Sequence, residues 1–173
     1  NRSFKNKNII EKLQIPKRHG VQFSVNNITG FPHETRELAM DTIELNRHID
    51  SDNQNLYAFT PFHGTPLRKM TEDLGLINKG DIVRCLTDKP MLDQPQYPAE
   101  EVEGLQKCFA LYTKFPKSRW KDIKRAEKND VQGQKLFEDF KSEYMDLYMP
   151  KQTSNVQQEI SGVADLEYGI VRT

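Results

Sequence analysis

Two short stretches of the chain combine residues that could bind a ligand where a strand ends. Residues 21–35 read VQFSVNNITGFPHET, and residues 55–67 read NLYAFTPFHGTPL. In each stretch an apolar run leads into a loop with glycine and proline, and the loop leads into the start of a helix. Because α/β proteins bind ligands at such strand ends, we expect the two loops to form one working surface.

Gly30 and Glu34 are the candidates in the first stretch. Glycine lets a backbone come close to a nucleotide, although it equally suits an ordinary strand-to-helix turn. Glu34 could contact a ligand or orient the loop through a hydrogen bond, or it could only place a negative charge at a helix N-terminus. The residues alone leave both pairs of alternatives open.

Asn26, Asn27 and His63 are the other polar candidates. Asparagine is disfavoured in strands, so one of the pair must face a polar cofactor or substrate, or bond to a neighbouring strand. His63 follows the second strand and could move a proton, but a loop histidine with a backbone partner is slightly favoured. No zinc-ligand spacing connects it with the remaining histidines, which are His19, His33 and His48.

The composition argues against several classes of function. The 173 residues include 25 basic and 25 acidic side chains, so the net charge is zero and we expect neither nucleic acid nor a membrane surface as partner. No run approaches the length of a membrane span. The basic strip over residues 114–128 is better explained as a solvated helix face than as a phosphate site. Two cysteines, Cys85 and Cys108, suit a reducing, cytoplasmic setting.

Hydrophobic periodicity predicts a βαβ unit followed by helices. Strands over residues 21–28 and 56–62, the first half or fully buried, flank a helix over 35–49 and should be parallel neighbours. A first helix is predicted over residues 6–18, which Pro16 should end or kink near residues 14–15. His19-Gly20 is predicted as the stop before the first strand. Further helices are predicted over 67–74, 100–115, 119–128 with Ser118 as cap, and 134–149. The predicted apolar face of the 100–115 helix comprises Val102, Leu105, Phe109 and Tyr112. The predicted apolar stripe of the 134–149 helix comprises Leu136, Phe137, Phe140, Tyr144, Leu147 and Tyr148. Arg36 and Arg47 are predicted to lie on the solvent-exposed face of the 35–49 helix.

Two segments carry a resemblance to a known family. Residues 26–35, NNITGFPHET, resemble the IxGFPxET segment of radical S-adenosylmethionine (SAM) enzymes, and residues 57–67, YAFTPFHGTPL, resemble the FxPxxGTPL segment of the next strand. Within that superfamily the chain is most similar to the group that often carries an N-terminal cobalamin-binding domain. The resemblance implies an α/β fold: the C-terminal part of a partial (βα)6 TIM-like barrel over 1–75 and a mainly helical C-terminal extension over 76–150. Residues 151–173 are expected to form a polar, mobile tail.

The resemblance also implies a reaction and the residues that serve it. In this family a [4Fe-4S] cluster on a CxxxCxxC loop cleaves SAM to a 5′-deoxyadenosyl radical, which abstracts hydrogen from a small-molecule substrate. Cobalamin-dependent methyl transfer or ring formation would be possible outcomes. The residues carried over to the adenine and ribose side of the cofactor are Asn26, Ile28, Gly30, Glu34, Phe59 and Pro61. Asn27 and His63 are assigned to the substrate side, and no catalytic residue or metal ligand is assigned.

The chain departs from the family in one large respect, because it contains no CxxxCxxC motif. Cys85 and Cys108 are too far apart to replace that motif. We therefore expect a C-terminal fragment, inactive alone, whose cluster loop, first barrel strands and any cobalamin domain belong to missing upstream sequence. The alternative is a non-catalytic α/β module that binds a nucleotide or a partner and has lost the cluster. A non-radical α/β transferase is disfavoured by the paired motifs.

Overall fold

The computed structural model describes residues 4–83 and 89–149, so Cys85 and the predicted tail over 151–173 lie outside the described residues. The described part is α/β, with two strands and several helices. In chain order its elements are α1 (Asn6–Arg18), β1 (Ser24–Thr29), α2 (Arg36–Ile49), β2 (Asn53–Ala58), α3 (Pro66–Asp73), α4 (Ala99–Lys114), α5 (Trp120–Ala126) and α6 (Val131–Tyr148). No helix in this part of the chain has the length and apolar character needed to cross a membrane.

The two strands pair in parallel, as predicted. Their register runs from Ser24 opposite Asn53 to Thr29 opposite Ala58, and α2 forms the connection between them. β2 nevertheless lies several residues earlier than the predicted strand over 56–62. Pro61 has no amide hydrogen for a ladder, while pairing with β1 draws the polar start of β2 into the sheet despite its low strand propensity.

Helices cover one face of this sheet in the described part of the chain. Leu56 and Ala58 of β2 are buried beneath α4, in one core cluster with Ala39 and Ile43 of α2. The opposite face carries Asn26, Ile28 and Tyr57, and Ile28 is 50% exposed there. The prediction that β1 is half or fully buried is therefore confirmed in its first form, because exposed and covered positions alternate along the strand. A barrel is not shown by these two strands.

The main core lies between the sheet and the helices α2, α4, α5 and α6. The predicted apolar face of α4 is confirmed, since its four members are all buried: Val102, Leu105, Phe109 and Tyr112. Burying one such side chain contributes about 1.5–3 kcal/mol relative to leaving it exposed. In α6 the predicted stripe holds at Phe140 but fails at Leu147, which is exposed.

The predicted helix over 6–18 and its stop at His19-Gly20 are confirmed, because α1 runs from Asn6 to Arg18. The predicted end near residues 14–15 is wrong, since α1 continues through Pro16 although this residue has no amide to donate. Two further predicted helix boundaries are wrong. Ser118 makes no capping bond, and a 3-10 turn over Lys117–Arg119 leads into α5 instead. α6 begins at Val131 because the Asp130 side chain before it accepts a hydrogen bond from the Gly133 amide.

Two arginines predicted to face water instead join helices. Arg36 of α2 is 13% exposed and pairs with Glu127 at 2.6 Å and with Glu101 at 3.3 Å. Arg47 donates to three carbonyls at the C-terminus of α4, those of Tyr112, Thr113 and Phe115. The helices that follow the βαβ unit are therefore fixed to it by buried charge as well as by apolar packing.

Candidate functional site

Two loops meet where the strands end. The first loop, residues 29–34, leaves β1, and the second loop, residues 59–65, leaves β2. The Phe59 amide donates to the Thr29 carbonyl at 2.7 Å, and the rings of Phe31 and Phe59 lie 4.9 Å apart at their centroids. The prediction that both loops contribute to one surface is confirmed by these contacts.

Glu34 determines the shape of the first loop. One oxygen of its carboxylate, Oε2, accepts from the Phe31 amide at 3.0 Å, from the Gly30 amide, and from the Thr29 hydroxyl at 3.2 Å. The N-cap of α2 is the next residue, Thr35, whose side chain accepts from the amide of Leu38. Of the alternatives left open by the sequence, the structure therefore shows the orienting hydrogen bond.

Gly30 is buried and lies in the left-handed region, with φ at 83°. A side chain here would make only ordinary contact with Val102, at 3.5 Å. The backbone conformation, not lack of space, is therefore what favours glycine at this position. The Gly30 amide is occupied by Glu34, so it orders the loop.

Gln94 and Tyr97, two buried residues from the irregular segment before α4, also hold the first loop. Gln94 is 2% exposed; its Nε2 donates to the Phe31 carbonyl and its Oε1 accepts from the His33 amide, both at 3.0 Å. The Tyr97 hydroxyl lies 3.3 Å from that of Thr29, and burial raises the pKa of Tyr97 to about 12. Sequence reasoning missed both residues, because no local pattern marks a contact made across the fold.

Arg68 of α3 holds the second loop in a similar way and was also missed. It is 3% exposed, donates to the Pro61 carbonyl at 3.2 Å and pairs with Glu72 at 2.7 Å. Its remaining nitrogen, Nη2, donates to three carbonyls of the following turn, those of Asn78, Lys79 and Asp81. The i,i+4 spacing of Arg68 and Glu72 is visible in the sequence. This spacing is typical of an ion pair on a helix surface, so it does not reveal that Arg68 is buried.

A cleft of about 350 Å³ lies on the uncovered face of the sheet beside both loops. Three predicted cofactor residues line it, namely Asn26, Ile28 and Phe59. The other lining residues are Phe31, Tyr57, Ala58, Thr60, Phe62, Thr65 and Leu67. An apolar, aromatic lining with a few amide and hydroxyl groups suits a flat base that is stacked and oriented by few hydrogen bonds.

Four other predicted site residues lie outside the lining of this cleft. Gly30 and Glu34 lie in the first loop, and Pro61 is buried, with its carbonyl bonded to Arg68. His63 is exposed. None of them is tested as a cofactor or substrate residue, so their assigned roles stay predictions.

Asn27 lies on the opposite face of the sheet from Asn26. Its side chain exchanges two hydrogen bonds with the buried Asn46 of α2, at 2.8 and 3.2 Å, and donates to the Asn55 carbonyl at 3.1 Å. Asn26 accepts from the Asn55 side chain at 2.9 Å. The alternative of a bond to a neighbouring strand therefore describes both asparagines, and Asn27 does not line the cleft.

The described residues do not fit an iron–sulfur cluster. Among them, no group of three or more His, Cys, Asp or Glu side chains is arranged to hold a metal ion. Cys108 is buried in the core, and burial raises the pKa of its thiol to about 12. Because metals bind the thiolate, this thiol is a poor ligand.

Most of the basic strip over residues 114–128 is paired with carboxylates. Lys114 pairs with Asp50 at 2.7 Å, and Lys117 pairs with Glu44 at 2.6 Å. The other pairs of the strip are Arg119–Glu143, Arg125–Asp130 and Lys128–Glu100. This pairing agrees with the predicted solvated helix face and leaves little of the strip available to phosphates.

Comparison with known proteins gives distant relatives. No family model matches the chain. The curated relatives are named tRNA-2-methylthio-N(6)-dimethylallyladenosine synthase. The protein of Halalkalibacterium halodurans is 35% identical over 75 residues, which is 42% of this chain and 14% of the relative. That of Shewanella baltica is 32% identical over 103 residues, 60% of this chain and 22% of the relative. That of Legionella pneumophila is 29% identical over 115 residues, 66% of this chain and 25% of the relative.

The chain thus spans between 14% and 25% of the length of these three relatives. Enzymes of this name are radical SAM enzymes, so the resemblance is supported at the level of distant similarity to that superfamily. The cobalamin-associated group is not confirmed, and these matches do not support cobalamin as a cofactor.

Proposed function

We propose that this chain forms the nucleoside side of the SAM site in a radical SAM enzyme, and that it is inactive by itself. The observation that carries the proposal is the cleft at the paired strand ends, because both family-like segments contribute to it. The distant radical SAM relatives support the same class.

The residues of the chain would bind and orient the cofactor. The apolar lining around Ile28, Phe31 and Phe59 would bury the adenine, and hydroxyl and backbone groups of the two loops would orient the ribose. Glu34 would keep the first loop in shape. The [4Fe-4S] cluster would supply the electron that cleaves SAM, and its ligands would belong to another part of the enzyme.

For the substrate we propose a small molecule. The names of the relatives specify tRNA, but the net charge of this chain is zero and most of its basic strip is paired. A tRNA contact made by this segment would need cations in excess, so both observations favour a small substrate as the ligand of this part of the enzyme. Methyl transfer or ring formation with cobalamin stays part of the proposal, as does a reducing, cytoplasmic setting.

The test uses the full-length enzyme with its cluster reconstituted and an Ile28→Arg substitution. Ile28 is half exposed in the cleft, so arginine would obstruct the cleft without disturbing the core. We expect affinity for SAM to fall by about tenfold or more, which corresponds to about 1.4 kcal/mol or more, and 5′-deoxyadenosine formation to fall with it. Val21→Arg is the matched control, because Val21 is equally exposed but lies outside the cleft. Unchanged SAM affinity in the Ile28 variant would contradict the proposal.

The absence of cluster ligands from the chain favours one second candidate. This is a non-catalytic module that binds a nucleotide or a partner in the same cleft. The two candidates differ in iron content and product: a full-length protein that binds the nucleoside but contains no iron and forms no 5′-deoxyadenosine would support the module.

A further inference from the structure

The connecting segment, residues 89–98, lies between α3 and α4 and touches the first loop at its turn. Gln94 is the contact residue. It is almost completely buried, and its side-chain amide bonds to the backbone on both sides of residue 32, at the Phe31 carbonyl and the His33 amide. A buried amide with both ends bonded to the backbone of one turn fixes the conformation of that turn.

The turn benefits from this support because His33 has a φ of 65°. Residues other than glycine are uncommon in the left-handed region, and although histidine is among those enriched there, contacts that hold the backbone favour this conformation. The Gln94 bond to the His33 amide is such a contact. Without it, the turn would relax and the neighbouring Phe31 would move with it.

Gln94 is itself held in place. Its carbonyl accepts from the Tyr97 amide at 3.1 Å, and its Oε1 accepts a second hydrogen bond from Gln96 at 3.0 Å. Asp93 accepts from the Ala99 amide at 2.9 Å, which ties the segment to the start of α4. These hydrogen bonds fix the connecting segment to the start of α4. The first loop contacts this segment through Gln94.

We propose that Gln94 is a positioning residue for nucleoside binding, acting through Phe31. Phe31 lines the cleft and contacts Phe59, and its backbone carbonyl is bonded directly to Gln94. The residue thereby couples the connecting segment to the shape of the cleft. This inference rests on the proposed function, since it assumes that the cleft binds a nucleoside.

The experiment uses the full-length enzyme with its cluster reconstituted, with S-adenosylhomocysteine as an uncleavable probe. Gln94→Leu removes both bonds at similar volume, and we expect the dissociation constant of the probe to rise about tenfold. KM for SAM should rise with it while kcat stays within about twofold, because the lost interaction is uniform binding. Gln96→Leu is the matched control: Gln96 bonds to Gln94 but not to the loop, and its affinity should stay near that of the wild type.

Hydrogen exchange supplies a second readout at single amides. In Gln94→Leu the His33 amide should exchange faster, because its acceptor is gone, while the Phe31 amide stays protected by Glu34. Gln94→Glu keeps an oxygen for the His33 amide, which should stay protected. It also places a buried carboxylate oxygen against the Phe31 carbonyl, so its affinity loss should be at least that of leucine.

The outcomes separate this inference from the proposed function. If the wild type fails to bind the probe, both are overturned. If the wild type binds and Gln94→Leu binds equally well, the inference is overturned and the proposed function stands. If both Gln94 variants lose kcat together with cooperative unfolding, Gln94 is merely structural and the inference is overturned. A rise in KM with kcat and unfolding preserved supports it.

Discussion

Replacing Glu34 with alanine should destabilise the fold through three hydrogen-bond donors at once. The Glu34 carboxylate accepts from the amides of Gly30 and Phe31 and from the Thr29 hydroxyl. A buried donor left without a partner costs about 1–3 kcal/mol. Gly30 and Thr29 are buried, whereas the Thr29 hydroxyl keeps Tyr97 as a neighbour and Phe31 is only half buried. We therefore assign the full cost of a buried unpaired donor to the Gly30 amide and a part of that cost to each of the other two donors. The free energy of unfolding should fall by about 2–4 kcal/mol in total.

The assay is urea unfolding of the chain, followed by the fluorescence of its one tryptophan, Trp120, which packs against the core. With a typical slope of about 1–3 kcal/mol per molar urea, the midpoint should fall by about 1–2 M. Glu34→Gln keeps an acceptor oxygen and should lose about 1 kcal/mol. Asp41→Ala, on the exposed face of the adjacent helix α2, is the matched control and should leave the midpoint unchanged. Equal midpoints for Glu34→Ala and Asp41→Ala would refute the reasoning.

Two further predictions concern charged groups away from the cleft. Glu127→Ala removes the closest partner of Arg36, which is 13% exposed and keeps Glu101 at 3.3 Å, so the free energy of unfolding should fall by about 1.5–3 kcal/mol; a urea midpoint close to that of the wild type would contradict this. Burial raises the pKa of Asp50, but hydrogen bonds from Lys114 and Lys17 outweigh it and lower the pKa below its ordinary value. Asp50 therefore stabilises the fold above its unfolded pKa of about 4, and the contribution is lost as pH falls further. Stability of the wild type should decline more steeply below about pH 4 than that of Asp50→Asn, and parallel pH profiles from urea titrations would rule this out.

The sequence predicts what depends on neighbours along the chain. The buried face of α4, from Val102 to Tyr112, follows from helical period alone, and the parallel strands follow from the strand–helix–strand order. Arg36 and Arg47 were misplaced because charge alone suggests water. Their partners lie far along the chain, 91 residues away for the Arg36–Glu127 pair, and no periodicity within α2 reveals them.

The residues of the candidate site likewise fall into those that the sequence predicted and those that it did not. Asn26, Ile28 and Phe59 follow from the two family-like segments, and all three line the cleft. Gln94 and Arg68 could not be predicted, because each bonds to backbone atoms of a loop. Almost every residue has the same backbone amide and carbonyl. The types of the loop residues therefore do not indicate which distant side chain bonds to their backbone.

The one-sided sheet has a consequence for the behaviour of this chain when it is produced alone. Among the described residues β1 pairs with β2 and with no other strand, so the outer edges of both carry amides and carbonyls that no further strand pairs. Next to these edges lies the exposed apolar face that includes Ile28. Such edges are templates for strand addition between molecules. Self-association of the isolated chain should thus compete with ligand binding, and dilute solutions would suit measurements on it.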